Sequence, residues 1–327
     1  MSRNANNQLL QKAKKAKSDE FYTQICDIER EVKHYKESFK GKVVYCNCDD
    51  PKVSNFFRYF VENFHELGLK KLIASCYKES NMDLFSQNCT SERAYYCVYS
   101  GEEGGVDKAL SSLRYFNGDG DFRSRESVAL LQESDMVVTN PPFSLFREYI
   151  AQLVRYKKSF LVIGNINAIT YKEIFELIQN NEAWLGVNLG RGISGFIVPD
   201  HYGLYGTETT LNELGQKIIA TNNCLWLTNI EIGQRHKILD LTKVYVGNED
   251  KYNKYDNCDG INVNKTQDIP IDYSGLIGVP ITFLHKYNPD QFEIVRFRKG
   301  DDGKDLSING KCPYFRILIK NRLCDRN

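Results

Sequence analysis

Two short apolar runs, Val43-Val-Tyr-Cys46 and Leu72-Ile-Ala74, are separated by a stripe of Val53, Phe56, Phe57, Phe60, Val61, Phe64 and Leu67. The stripe keeps the i, i+3, i+4 spacing of a helix with one apolar face, and Gly68 closes it as a C-terminal cap. The same alternation recurs along the chain. Ile28, Val32, Tyr35 and Phe39 form a helical face that Gly41 breaks. Asp135-Met-Val-Val-Thr139 reads as a strand, and Phe146, Tyr149, Ile150 and Leu153 as a helix. Phe160-Leu-Val-Ile163, Ile169 to Ile178 and Trp184-Leu-Gly-Val187 continue as strand, helix and strand. Buried strands alternating with amphipathic helices over short connections predict an α/β core with a largely parallel sheet. Residues 78 to 111 are polar and irregular, and read as an insertion.

A chain of 327 residues is long enough for one large core plus an elaboration. The 43 Lys+Arg against 42 Asp+Glu exclude a strongly basic architectural protein, so any affinity for nucleic acid must come from local clustering. One such cluster is the N-terminal arm, residues 1–17, where Arg3, Lys12, Lys14, Lys15 and Lys17 stand without an acid. The core is expected over 18–232. Beyond it, 233–327 mixes Tyr, Asn, Asp, Lys and Gly with short strand-like runs, Ile281-Thr-Phe-Leu284 and Ile317-Leu-Ile319, and reads as a smaller irregular domain. No apolar stretch approaches the length that spans a bilayer, and the polar start lacks a signal-peptide core, so a cytoplasmic protein without membrane contact is expected. Among the 10 cysteines the only close pair is Cys46-x-Cys48. No second pair completes a zinc set, and the cysteines read as reduced, mostly buried thiols.

The most informative segment is Asp135-Met-Val-Val-Thr-Asn140-Pro141-Pro142-Phe143, a buried strand that delivers a polar side chain and two prolines at its carboxyl end. Open α/β sheets bind ligands there. Adjacent prolines remove two backbone donors and stiffen the turn, so that the carbonyls of Asn140 and Pro141 can serve as fixed acceptors. An asparagine oxygen beside such a carbonyl can receive both hydrogens of an exocyclic amine, and Phe143 offers a face to a planar base.

Asn140-Pro-Pro-Phe143 after an apolar strand resembles the catalytic motif of adenine-N6 DNA methyltransferases. Over nearly the whole chain the sequence resembles the EcoRI-type modification methyltransferases. The stretches that carry this are Lys17-Ser-Asp-Glu-Phe-Tyr-Thr23, Tyr45-Cys-Asn-Cys-Asp-Asp-Pro51, Ser54-Asn-Phe-Phe57, Gly118-Asp-Gly-Asp-Phe-Arg123, Leu189 to Pro199, Asn223-Cys-Leu-Trp226 and Ser307 to Phe315. The resemblance implies a Rossmann-like S-adenosylmethionine-dependent core, with a C-terminal DNA-recognition region over 233–327. It implies that Tyr22 and Thr23, with Asp49, Asp50 and Pro51, hold the methionine end of S-adenosylmethionine, and that Asp119, Asp121 and Phe122 contact its adenine. Hydroxyls and carboxylates suit a zwitterionic sulfonium ligand. The first-strand loop, Asp50 to Asn55, departs from the family in having no glycine, and the second strand lacks the usual ribose-binding acid, Glu79 being displaced.

The implied reaction is direct methyl transfer to N6 of an adenine swung out of duplex DNA, with Asn140 and the Pro141 carbonyl orienting the amine and no metal required. The resemblance suggests the palindrome GAATTC and protection of host DNA from a companion restriction endonuclease, a partner by function with no direct contact implied. Lys12, Lys14 and Lys15 of the arm, with Arg296 and Arg298 of Val295-Arg-Phe-Arg-Lys299, are candidates for DNA contact, strand alternation placing both arginines on one face. Gly190-Arg-Gly-Ile-Ser-Gly195 has the spacing of a dinucleotide-binding loop but leads into Phe196-Ile-Val rather than a helix. It reads as a turn near the target base, with Phe196 either stacking on that base or packing in the core. Asn117-x-Asp119-x-Asp121 mimics a calcium loop, but Phe122 and Val128 stand where Gly and Glu are required. Methylation of RNA or of protein glutamine, which share the motif because each presents a conjugated planar amine, and an inert DNA-binding module are the alternatives.

Overall fold

The computed structural model describes residues 22–78, 93–188, 193–198, 209–212, 215–220, 223–298, 306–312 and 315–324. Lys12, Lys14, Lys15, Gly190 to Gly192 and the side chain of Arg298, for which the sequence raises expectations, lie outside the described residues. Among the described residues no helix is long and apolar enough to cross a membrane.

The chain divides into two compact units, one running to Ile166 and resuming over Asn188–Thr228, the other comprising Asn167–Val187 and Asn229–Asn327. Across the main sheet of the first unit the strands run Arg114–Tyr115, Tyr95–Tyr99, Lys71–Ser75, Val43–Cys46, Met136–Thr139, Ser159–Asn165, Cys224–Thr228. The four central strands, Lys71–Ser75 to Ser159–Asn165, pair in parallel, whereas Tyr95–Tyr99 and Arg114–Tyr115 on one side and Cys224–Thr228 on the other join antiparallel. The sheet is therefore mixed, and the expectation of a mainly parallel one holds only for its centre. Burial accounts for part of the difference. Val43–Cys46 and Met136–Thr139 are buried at every position, as strands covered on both faces are, while Tyr95–Tyr99 alternates between buried and half-buried. That strand and the helix Gly105–Leu110 occupy a region expected to be irregular.

From Val43–Cys46 the chain passes to Lys71–Ser75 on one side, and Met136–Thr139 lies on the other. In open sheets such a change of direction is where ligands bind, at the carboxyl ends of the two strands. The helix between Val43–Cys46 and Lys71–Ser75 is Asn55–Glu62, shorter than its apolar stripe. Ser54 caps its start by accepting the Phe56 N–H at 3.0 Å, which leaves Val53 outside the helix and 52% exposed. Phe64 and Leu67 remain buried in the turns that follow. A smaller antiparallel sheet of the same unit orders Tyr22–Thr23, Phe196–Ile197, Lys217–Ile219 and Thr209–Leu211.

The second unit holds a sheet ordered Gly260–Asn262, Leu276–Pro280, Arg316–Asn321, Phe292–Arg298. The helix Lys172–Gln179, expected in the core over 18–232, packs on it instead: Phe175 stacks on Phe297 with ring centroids 4.8 Å apart, and Gln179 Nε2 donates to the Val295 carbonyl at 2.8 Å. Ile281-Thr-Phe-Leu284, expected as a strand, belongs to the 3-10 segment Ile281–Lys286, because Pro280 ends the preceding strand and the buried pair Phe283 and Leu284 falls on consecutive positions. Of the described cysteines, all free, Cys46, Cys76, Cys97 and Cys224 are buried while Cys26 and Cys312 are exposed, so burial is less general than expected.

Candidate active site

Asp49 follows the strand Val43–Cys46 and is buried at its carboxyl end. Its carboxylate accepts the Ser54 hydroxyl at 2.8 Å, the hydroxyl of Thr139 and the backbone N–H of Asn140. Thr139 Oγ1 in turn accepts the Cys48 N–H at 3.2 Å. One buried acid thus ties together the loop after the first strand, the N-cap of the helix Asn55–Glu62 and the residue that opens Asn140-Pro-Pro-Phe143. Burial pushes the Asp49 carboxyl up to about 6, against the pull of its three donors. Tyr149, on the helix Phe146–Arg155, donates from its hydroxyl to Asn47 Oδ1 and anchors the same loop from the other side.

Past the sheet edge, Asn140, Pro142 and Phe143 are half-buried and Pro141 is buried. Phe143 starts a short 3-10 turn, with Pro142 at its N-cap, and its ring lies 6.2 Å, centroid to centroid, from that of Phe196. Phe196 is 4% exposed and paired with Thr23 and Ile219 across the small sheet. Of the two alternatives for Phe196, packing in the core is the one its burial supports, and the place where it packs is beside the Asn-Pro-Pro-Phe corner. At Gly195 a side chain would meet Ile218 Cγ2 at 2.6 Å and the Ile219 carbonyl at 2.7 Å, so only glycine permits this approach.

Thr23 is brought to the same place. Its carbonyl accepts Asn55 Nδ2 at 2.8 Å, and Asn55 is the first residue of the helix that Ser54 caps. Its side-chain oxygen is buried with no hydrogen-bond partner among the described residues, and a buried hydroxyl without a partner marks a place for a polar ligand. Asp50 is largely buried, its side chain 18% exposed. Its Oδ1 accepts the Tyr95 hydroxyl at 2.7 Å and the Lys52 N–H at 3.0 Å, and its Oδ2 lies 3.6 Å from Lys78 Nζ. Pro51 is buried beside it. The Lys78 N–H donates to the Asp119 carbonyl at 2.9 Å, which draws the Gly118 to Arg123 loop to the end of Lys71–Ser75. The partnerless hydroxyl of Thr23 and the largely buried carboxylate of Asp50 are donor and acceptor groups of the kind that suits a zwitterionic ligand.

Other expected cofactor residues are placed differently. The Asp121 carboxylate is held by Arg123, whose Nη2 lies 2.7 Å from Oδ2, and this bond lowers its pKa. The Phe122 ring is 5% exposed and meets Tyr149 edge-on at 5.2 Å. Tyr22 is half-buried and pairs with Ile197. In the second unit Arg296 is exposed, next to an irregularity in the strand between Ile294 and Arg296, and Phe297 turns to the opposite side. Sequence reading overlooked Ser54, Thr139 and Tyr95 as partners of the two acids. Ser54 carries a usable signal, a serine directly before a helical stripe.

The family model described as adenine-specific methyltransferase EcoRI matches residues 9–322. The Type II methyltransferase M.EcoRI of Escherichia coli is 64% identical over 326 residues, covering 98% of this chain and 99% of that protein. The Type II methyltransferases M.MgeORF184P of Mycoplasma genitalium and M.MpnI of Mycoplasma pneumoniae are 38% and 36% identical over 329 residues, each covering 95% of this chain. No solved structure matches the chain.

Proposed function

Because the chain belongs to the EcoRI family of adenine-specific methyltransferases, we propose that it transfers a methyl group from S-adenosylmethionine to N6 of an adenine flipped out of duplex DNA, within GAATTC. The observation that carries this reading is the Asn140 corner itself, fixed at the carboxyl end of a central parallel strand by the bond from its backbone N–H to Asp49 and flanked by the Phe143 and Phe196 rings. Thr23, Asp50 and Pro51 hold the methyl donor, with Asp119 close to the same loop. The donor supplies a sulfonium-bound methyl group, and the chain supplies position. The Asn140 side-chain oxygen and the Pro141 carbonyl accept the two amine hydrogens, which favours a more pyramidal nitrogen and directs its lone pair. Phe143 covers the face of the extruded base, whose removal from the stack costs a few kcal/mol.

The second unit, with Arg296 on its surface, carries sequence recognition, and the basic residues of the N-terminal arm add phosphate contacts. Methylating GAATTC would protect host DNA in the cytoplasm from a companion endonuclease that cuts the same site. Labelled methyl transfer to duplexes with and without GAATTC, to RNA and to protein acceptors, followed by mapping of the modified base, tests this. Label confined to N6 of one adenine in GAATTC duplex is expected, and label in RNA or glutamine defeats the reading. Asn140→Ala should lower kcat by at least about a thousandfold while leaving duplex affinity within about threefold.

A further inference from the structure

Two acids on the helix Ile25–Val32 have no role in the chemistry above, yet both are fully buried. Asp27 and Glu31 are one helical turn apart and so share a face. Asp27 Oδ2 accepts the Ser194 N–H at 2.8 Å and the Ser194 hydroxyl at 2.9 Å. Glu31 Oε2 accepts the Asn188 N–H at 2.8 Å and Asn188 Nδ2 at 2.9 Å, while Glu31 Oε1 accepts the Tyr35 hydroxyl at 2.8 Å. Asn188 Nδ2 also donates to the Arg30 carbonyl at 2.8 Å, and Gln24 Nε2 donates to Ser194 Oγ at 2.7 Å and to the Gly195 carbonyl at 3.2 Å. Besides the bond from Tyr35 to Glu31 and the ion pair of Arg30 Nη1, 3.4 Å from Asp27 Oδ1, these contacts run from the helix and its N-cap to Asn188 and to Ser194 with Gly195, the two ends of the glycine-rich stretch of sequence. Two residues past Ser194 comes Phe196, whose ring meets Phe143.

Buried carboxylates are a costly way to fasten a surface segment, and apolar packing would hold it equally well. What carboxylates add is direction: each accepts two donors from one residue, fixing that residue in orientation as well as in distance. Taking the adenine-methylating reading as given, we propose that Asp27 and Glu31 are positioning residues of the target-base pocket, clamping Ser194 and Asn188 so that Phe196 is set against Phe143 where the extruded adenine is received. Thr23, which pairs with Phe196, is held independently by Asn55 from the other side. Loosening the clamp should therefore disturb the base before it disturbs the cofactor.

The test uses the full chain with Asp27→Ala and Glu31→Ala, and with Ser194→Ala as a milder variant that leaves the helix intact. Two readouts are followed: methyl transfer to GAATTC duplex, and the fluorescence of 2-aminopurine at the target adenine per bound complex. For each acid variant kcat should fall by about tenfold or more, with the KM for S-adenosylmethionine changed less than about threefold, and the fluorescence rise on binding should shrink in step. Ser194→Ala should move both readouts in the same direction by a smaller factor. A merely structural role would lower the fraction of active protein while leaving the fluorescence per bound complex at the wild-type level, and that result overturns the proposal. The wild-type control separates the two ideas, since an absence of transfer or of any fluorescence rise there defeats the functional reading itself.

Discussion

Asp49 shows how a motif can pick out a residue without giving the direction of its side chain. The sequence places it just after the first strand, where the family resemblance leads to the expectation of a cofactor contact, and its carboxylate is turned inward onto Ser54, Thr139 and the Asn140 N–H. Direction of the side chain was not legible, because it depends on Thr139, ninety positions away in the chain. The consequence is a pH dependence of known sign. With its pKa raised from 3.8 to about 6 by burial, folded Asp49 holds its proton more tightly than the unfolded chain does. Its contribution to stability is therefore complete below about pH 4 and is lost as pH rises through about 6, a change of roughly 3 kcal/mol. Activity should run the opposite way. The ionised carboxylate accepts all three donors, whereas the protonated one must donate, leaving the Asn140 amide less firmly held. Urea unfolding of wild type and Asp49→Asn across this range should show the wild type losing stability relative to the variant as pH rises. The kcat profile of wild type should fall below about pH 6, and that limb should be absent in Asp49→Asn. Identical profiles would show that Asp49 does not hold the corner.

At the scale of elements, the strands and helices of the core were readable wherever one periodicity ran unbroken, as in Val43–Cys46, Asn55–Glu62 and Phe146–Arg155. Legibility failed where the environment decides. Tyr95–Tyr99 is half-buried at alternate positions and polar at its hydroxyls, so it lacks the apolar run of a central strand, and its antiparallel pairing with Lys71–Ser75 and Arg114–Tyr115 is what holds it in the sheet. The loop before the helix Arg125–Glu133 rests on that strand. Gly120 has φ +76°, and a Cβ there would meet the Cys76 carbonyl at 2.4 Å and Ala94 Cβ at 3.0 Å. The glycine is thus required twice over, for its left-handed backbone and for close approach to the end of Lys71–Ser75. Gly120→Ala should destabilise the chain by roughly 2 kcal/mol or more and raise the KM for S-adenosylmethionine, because the displaced loop pulls the Asp119 carbonyl away from Lys78 and so loosens Asp50. A urea midpoint equal to that of wild type would show that the loop is not seated on the strand in this way.

Across the whole molecule, the amphipathic pattern of Ile169 to Ile178 shows a helix but carries no address, since an apolar stripe fits any apolar surface of matching shape. Sequence order placed it in the core, whereas its contacts place it in the second unit. Phe175 stacks on Phe297, Gln179 bonds the Val295 carbonyl, Arg235 Nη2 donates to Asn181 Oδ1 at 2.6 Å, and the Arg235 guanidinium lies 3.8 Å from the Trp184 ring centroid. The second unit is consequently discontinuous in sequence, and a cut at the boundary that composition suggests, after residue 232, removes Phe297, Val295 and Arg235 while retaining the helix that needs them. Each large side chain so uncovered loses about 2 to 3 kcal/mol of burial. A chain ending at residue 232 should therefore bind a hydrophobic dye and unfold over a broader urea range than the full chain, and Phe175→Ser within it should reduce the dye binding. A fragment that stays dark with the dye and unfolds as sharply as the full chain would show that residues 167–187 have their partners within the first unit after all.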